Sequence, residues 1–226
     1  MDMNIQKIEE FEAYLEREVA SASSELENLE EESRKHLQKL VYTNLVDRFD
    51  SMVDHTLLDN AFNETLLTEV LDKLKEPISE GEILRLFVDA TDTSGHINSR
   101  VQDTLRNGVL RNRHSKKLSK LLEVFCPDEH TMKPRVNVST GKILSKFKPQ
   151  NNKIPSSIAG YADWLYSRRN AVVHGGGSAS MLDNDLEQLK TIYKANPAKR
   201  VRLSLSSLKN ATAFYSSVVR LLKDAK

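Results

Sequence analysis

The segment Arg168-Arg169-Asn170-Ala171-Val172-Val173-His174 places a guanidinium five positions before an imidazole, and Asn170 directly follows Arg169. These residue types suit cleavage of RNA without a metal ion, in which the 2′-hydroxyl attacks the phosphodiester. A base must take the hydroxyl proton and an acid must protonate the departing 5′-oxygen, and histidine can serve in either part near neutral pH. Arginine stabilises the charge on the phosphate oxygens with a bidentate geometry that lysine cannot copy. Arg169 and His174 are therefore candidate catalytic residues, and Asn170 would orient the imidazole or bond the phosphate.

The pattern becomes informative only when Asn170 is included. Fourteen Arg and six His among 226 residues give about 0.4 chance pairs at this spacing, and requiring the asparagine lowers the expectation to about 0.025. Arg48 and His55 also form an Arg–His pair, with six residues between them, which we interpret as accidental. A structural interpretation of the motif stays open. Arg169 would then be a surface or ion-paired residue, and His174 a histidine that the helix dipole favours when protonated.

Arg169-Asn170-x3-His174, with Gly175 after it, resembles the RNxxxH motif of the HEPN superfamily of helical-bundle proteins. Within that superfamily the chain looks most like the RiboL-PSP and MAE-type bacterial groups. The resemblance rests mainly on residues 155–177, with weaker support from the helical pattern of residues 35–125. It implies a metal-independent endoribonuclease that leaves 2′,3′-cyclic phosphate and 5′-hydroxyl ends. It also implies a homodimer with a composite site, acting as a toxin or anti-phage effector that a neutralising partner protein restrains.

The spacing within the motif bears on where the site lies. Five residues of an ideal helix turn through 500°, so Arg169 and His174 lie about 140° apart around the axis. One motif also supplies one imidazole, whereas the reaction uses a base and an acid. Both points favour a cleft at the interface of two subunits. A non-catalytic HEPN module that binds RNA, nucleotide or a partner protein is the alternative, and a coiled-coil assembly protein with a coincidental motif is a third interpretation.

Charge is distributed unevenly along a chain whose net charge is +1. Residues 1–35 carry eleven acids and four bases, whereas residues 100–153 carry thirteen Lys or Arg and four acids. Such a basic block suits an RNA backbone, although solvated helix faces would have the same composition. The candidate RNA-binding residues are Arg168, Arg111, Arg113, Lys116, Lys117 and Lys120.

Other chemical sites find little support in the sequence. It has no HExxH zinc motif, no GxSxG, no P-loop and no GxGxxG after a strand. Residue types that can bind a metal ion occur together in Cys126-Pro127-Asp128-Glu129-His130. The sequence has no second cluster of such residues to complete a metal site, so we interpret this segment as an ordinary loop. Gly175–Gly177 indicates the end of a helix. We therefore expect no metal site and no cofactor.

Composition indicates helices as the elements that must position the motif. The sequence has only eight Gly and six Pro, with 29% charged and 6% aromatic residues, which predicts an all-α bundle forming a single domain over 1–226. No apolar stretch is long enough to span a membrane, the acidic N-terminus is unlike a signal peptide, and one cysteine excludes an intrachain disulfide. These features predict a cytoplasmic protein.

Four segments are expected within that domain. Residues 1–60 form a long helical arm or hairpin with an apolar seam of 4-3 spacing, which belongs to the chain's own bundle or to a dimer. Residues 61–126 form bundle helices, with a break at Thr93-Ser94-Gly95, and residues 127–156 form a basic loop with a possible hairpin around 134–148. Residues 157–226 contain the motif helix, capped by Ser156 or Ser157, and the C-terminal helices. The seam comprises Leu15, Val19, Ala22, Leu26, Leu29, Ser33, His36 and Leu40.

Overall fold

The computed structural model describes residues 3–73, 79–89, 93–175 and 179–225, and within them the chain folds into α-helices. Isolated β-bridges occur in the described residues, but no strand does, and the predicted all-α fold is confirmed. A π-helical segment (Leu15–Val19) joins the first two helices. The helices are α1 (Gln6–Tyr14), α2 (Ala20–Glu27), α3 (Glu31–Asp59), α4 (Glu64–Lys73), α5 (Glu80–Asp89), α6 (Thr93–Asn107), α7 (His114–Phe125), α8 (Ile158–His174), α9 (Asp183–Tyr193) and α10 (Leu205–Asp224).

Helix α3 is the centre of the bundle, and it packs against α1, α2, α7, α8 and α10. Its apolar residues recur every three or four positions, which places them on one face. That face is buried in a core cluster that extends from Ile8 to Leu222. The cluster joins the N-terminal helices to the motif helix α8, so the position of the motif depends on the whole bundle. The buried apolar residues of α3 are Tyr42, Leu45, Val46, Phe49, Met52, Val53 and Leu57.

The N-terminal apolar seam serves packing within the chain. Leu15, Val19 and Leu26 are buried where α1, the π-helical segment and α2 pack against α3 and α10. The chain turns after Asn28 and α3 returns along the first helices, which gives the hairpin form of the predicted arm. Because the helix is interrupted there, the predicted register fails beyond the turn: Ser33, His36 and Leu40 are exposed.

Two boundaries in the middle of the chain differ from the predicted ones. Thr93-Ser94-Gly95 begins α6 instead of ending the preceding helix. In the loop of residues 127–156, Val136 forms a bridge with Ile143, so the predicted hairpin is reduced to a short turn. Gly141 occupies that turn with φ of 75°, a conformation that favours glycine. No helix in the described part of the chain has the length and apolar character required to cross a bilayer.

Candidate functional site

Helix α8 carries the motif, and both of its ends follow from local sequence. Ser157 is the N-cap, and its Oγ accepts a hydrogen bond from the backbone N–H of Gly160 at 3.1 Å. The helix ends at His174, as predicted, and the C-cap residue Gly175 has no room for a side chain against the last turn of α8. A Cβ atom on Gly175 would lie 2.2 Å from the carbonyl oxygen of Ala171. The sequence therefore fixes His174 as the last helical residue.

Arg169 is held against α3 by an ion pair with Asp47. Its Nε lies 2.8 Å from Oδ1 of Asp47, and its Nη2 donates a hydrogen bond to Oδ2 at 3.0 Å. The bond to Asp47 raises the pKa of Arg169, which keeps the guanidinium charged. Its Cζ lies 5.9 Å from the ring centroid of Tyr166. With 21% of its side chain exposed, Arg169 is both fixed in position and reachable from solvent.

Asn170 forms hydrogen bonds with Arg169 and Asp185 and is partly exposed. Its Oδ1 accepts a hydrogen bond from Nη1 of Arg169 at 3.3 Å, and its Nδ2 donates to Oδ2 of Asp185 at 3.2 Å. Both of these hydrogen bonds are to residues other than His174, and a contact of Asn170 with the imidazole or with a phosphate stays a prediction. Asn170 links Arg169 to Asp185 of α9, as Asp47 links Arg169 to α3.

Arg113 extends this polar connection into the bundle. Its Nε donates to Oδ2 of the buried Asp163 at 3.0 Å, and its Nη2 reaches Oδ1 of Asp185 at 3.4 Å. Tyr193 donates to the same Asp163 oxygen at 2.9 Å. Arg113 therefore joins α8 and α9, and because 21% of its side chain is exposed its contact with RNA stays a prediction.

Lys117 is also internal. Only 6% of its side chain is exposed, and its Nζ lies 2.9 Å from Asp50 and 2.6 Å from Asp54, both on α3. Burial alone would lower the pKa of Lys117, but the two carboxylates outweigh it and raise the pKa. The expectation that Lys117 contacts RNA is wrong, because its ammonium neutralises a partly buried acidic row on α3.

The remaining basic candidates divide into paired and exposed residues. Nη2 of Arg168 donates to the carbonyl oxygen of Arg202 at 2.8 Å, and its guanidinium lies over the Trp164 ring, so it ties α8 to the segment before α10. Lys120 pairs with Glu69 at 2.9 Å and with Glu123 at 2.8 Å. Arg111 and Lys116 are exposed. The structure therefore leaves these two of the six predicted residues on the open surface.

His174 lies apart from Arg169. Its side chain is exposed at the C-terminal end of α8, and it forms no hydrogen bond or ion pair with any described residue. The neighbouring Val173 is also exposed, at 48%. Arg169 points toward α3 whereas His174 faces solvent, as expected for residues about 140° apart around a helix. One copy of the chain does not bring the two side chains together.

A second imidazole, that of His114, is connected to Arg169 through the ring of Tyr166. Nδ1 of His114, the first residue of α7, lies 2.7 Å from Oδ1 of Asp50, and its ring stacks on Tyr166 at 5.0 Å. Only 1% of the His114 side chain is exposed, so it cannot exchange a proton with a bound substrate. Burial would raise the pKa of Asp50, but His114 and Lys117 outweigh it and lower the pKa to about 2.

Asp50 should make stability depend on pH in the acid range. Its pKa is lowered from 3.8 to about 2, so its contribution is complete above pH 4 and is lost as the pH falls toward 2. We expect Asp50→Asn to lower the free energy of unfolding by about 2 kcal/mol at pH 6, and by almost nothing at pH 2. Urea unfolding at both pH values measures this loss of free energy of unfolding, and Asp59→Asn, at an exposed position, is the control. A difference that stays constant with pH would contradict the expectation.

A groove of about 960 Å³ lies between α4 and α6, and the motif residues do not line it. Arg111 is the one candidate RNA-binding residue among its lining residues. Basic side chains there alternate with Asp72 and Asp103, which gives the groove a mixed charge. In the described residues no group of three or more His, Cys, Asp or Glu side chains is placed to hold a metal ion.

Comparisons of the chain with protein-family models, with curated proteins and with solved structures find no match. The resemblance to HEPN proteins therefore rests on the sequence of residues 155–177, with weaker support from the helical pattern of residues 35–125.

Proposed function

We propose that the protein is a metal-independent endoribonuclease whose active site forms around the C-terminal end of α8. The observation that carries the proposal is the contrast between the two motif residues. Arg169 is fixed by Asp47 and Asn170, whereas His174 lies exposed, without a partner among the described residues. A fixed guanidinium suits charge stabilisation on a phosphate, and an exposed imidazole suits proton transfer.

The guanidinium of Arg169 keeps capacity for a phosphate. Arginine has five N–H donors. Asp47 faces Nε and one N–H of Nη2, and Asn170 accepts from one N–H of Nη1. One N–H remains on each terminal nitrogen, the number that a bidentate contact to a phosphate uses. Arg169 can therefore bind a phosphodiester without releasing Asp47.

A second copy of the chain would complete the site. The reaction uses one group to deprotonate the 2′-hydroxyl and another to protonate the 5′-oxygen, and α8 offers one exposed imidazole. The imidazole of His114 is buried and bonded to Asp50, so it cannot be the second proton-transfer group. Two exposed His174 side chains meeting across a homodimer would supply both groups. The resemblance to HEPN proteins implies a composite site of this kind.

The resemblance also suggests the biological setting. We propose a cytoplasmic protein that acts as a toxin or an anti-phage effector, with a partner protein that restrains it. Arg111 and Lys116 are the exposed basic residues proposed to attract the RNA backbone, and Arg168 would act indirectly, through its contacts between α8 and the segment before α10.

The test of this function is incubation of the purified protein with a structured RNA in excess EDTA, followed by mass spectrometry of the products. Attack by the 2′-hydroxyl predicts 2′,3′-cyclic phosphate and 5′-hydroxyl ends. Intact RNA, or cleavage that needs added Mg²⁺ and leaves 3′-hydroxyl ends, would exclude the proposal.

The second candidate function is a non-catalytic module that binds RNA, nucleotide or a partner protein. The observation that favours it is the internal pairing of the basic candidates: Lys117 lies against Asp50 and Asp54, and Arg113 lies against Asp163 and Asp185. Such ion pairs can be purely structural. RNA binding measured by fluorescence anisotropy, without cleavage of any RNA tested, would favour this function over the nuclease.

A further inference from the structure

A column of aromatic rings connects the core of the bundle to Arg169. Tyr215 and Phe49 are fully buried and stack with ring centroids 4.1 Å apart. His114 follows at 5.8 Å from Phe49, and Tyr166 stacks on His114 at 5.0 Å with 13° between the ring planes. The guanidinium of Arg169 lies 5.9 Å from the Tyr166 ring. This column of packed rings therefore leads from the core to the guanidinium of Arg169.

His114 is the link of this column that carries a specific polar anchor. Nδ1 lies 2.7 Å from Oδ1 of Asp50, and the same oxygen lies 2.9 Å from Nζ of Lys117. The Nε2 atom is buried and has no hydrogen-bond partner among the described residues. The contact of Nδ1 with Asp50 is therefore the one polar contact of the ring among the described residues, and it sets the orientation of the ring. What the imidazole adds is a fixed ring plane beneath Tyr166.

We propose that His114 is a positioning residue for Arg169, acting through Tyr166. Asp47 and Asn170 hold the edges of the guanidinium, and the Tyr166 ring, set in place by His114, supports its face. His114 takes no part in proton transfer, because its side chain is buried. This inference rests on the proposed nuclease function for its effect on the reaction. Its structural part, the immobilisation of Arg169, can be measured without RNA.

The structural part is tested by NMR of the ¹⁵N-labelled full chain. The Nε–H signal of Arg169, assigned as the signal absent in Arg169→Lys, should exchange slowly with water because Asp47 and the Tyr166 ring immobilise the group. In His114→Leu we expect that exchange to accelerate about fivefold, which corresponds to losing a cation–π contact at a partly exposed site. The exposed His36→Leu is the matched control and should leave the signal unchanged.

The functional part is tested by steady-state cleavage of a labelled RNA in EDTA. His114→Leu should lower kcat about tenfold with little change in KM, because a displaced guanidinium acts mainly on the transition state. In an Arg169→Lys background the same substitution should have no further effect, since both changes act on one group. A merely structural role for His114 would lower the rate in both backgrounds.

Tyr166 provides the second variant if His114→Leu does not fold. Tyr166→Leu removes the ring from a half-buried position and should accelerate the exchange of Arg169, whereas Tyr166→Phe keeps the ring and should keep the slow exchange. Unchanged exchange in both His114→Leu and Tyr166→Leu would overturn the inference, as would additive losses of kcat with Arg169→Lys. If the wild-type protein cleaves no RNA, the proposed function fails and the NMR measurement alone decides the positioning role.

Discussion

Replacing His174 by alanine is expected to lower kcat for RNA cleavage in EDTA by about 10²- to 10⁴-fold, the range that a general acid or base contributes. The imidazole is exposed at the end of α8, without a partner among the described residues, so its removal should act on catalysis and leave the fold unchanged. Single-turnover cleavage of a labelled RNA measures the loss, and the thermal unfolding midpoint checks the fold.

The matched control is His55→Ala. His55 belongs to the other Arg–His pair of the sequence, is also exposed, and has its Nδ1 2.7 Å from the carbonyl oxygen of Ser51. If that pair is accidental, His55→Ala should cleave RNA at the wild-type rate. Cleavage by His174→Ala at the wild-type rate, or equal losses in the two variants, would show that the imidazole of the motif is not the reacting group.

Arg169→Lys is expected to lower kcat by about 10²- to 10³-fold, the loss that follows removal of one donor to a developing oxyanion. Lysine keeps the positive charge and can still pair with Asp47, but it lacks the planar fork that binds a phosphate and contacts Asn170. Stability should change by less than about 1 kcal/mol, because the ion pair is partly exposed. Measuring kcat and the urea midpoint of the variant separates its loss of catalysis from its loss of stability.

Arg48→Lys is the control for this variant. Arg48 is next to Asp47 in α3, and like Arg169 it is an arginine beside an aromatic ring, with its Cζ 4.5 Å from the ring centroid of Tyr14. It should retain wild-type activity. An Arg169→Lys protein with undiminished kcat would mean that Arg169 serves the ion pair alone, which is the outcome that favours the non-catalytic binding module.

The position of the motif helix follows from sequence because its determinants are local. Ser157 caps α8 and Gly175 ends it, and both act through backbone geometry within a few residues. The same holds for the all-α fold, since scarce Gly and Pro and regular apolar spacing are properties of short windows. The end of the N-terminal seam is different, because the turn after Asn28 carries neither Gly nor Pro to mark it.

The environment of Arg169 could not be predicted in the same way, because its partners are distant in sequence. Asp47 lies 122 positions from Arg169, and Asp50 lies 64 positions from His114. Spacing within one helix gives no measure of which residues of another helix it will meet. The burial of Lys117 could have been predicted from the sequence. Lys117 lies four residues before Leu121, and His114 lies four residues before Leu118, so both share the apolar face of α7, which is buried.

The most direct test of the account is the activity of a mixed dimer with one wild-type subunit and one His174→Ala subunit, purified through two different affinity tags and assayed on RNA in EDTA. A composite site that needs an imidazole from each subunit predicts a mixed dimer nearly as inactive as the His174→Ala protein itself. A mixed dimer with half the wild-type rate would show that each subunit cleaves RNA alone, and would contradict the proposed site.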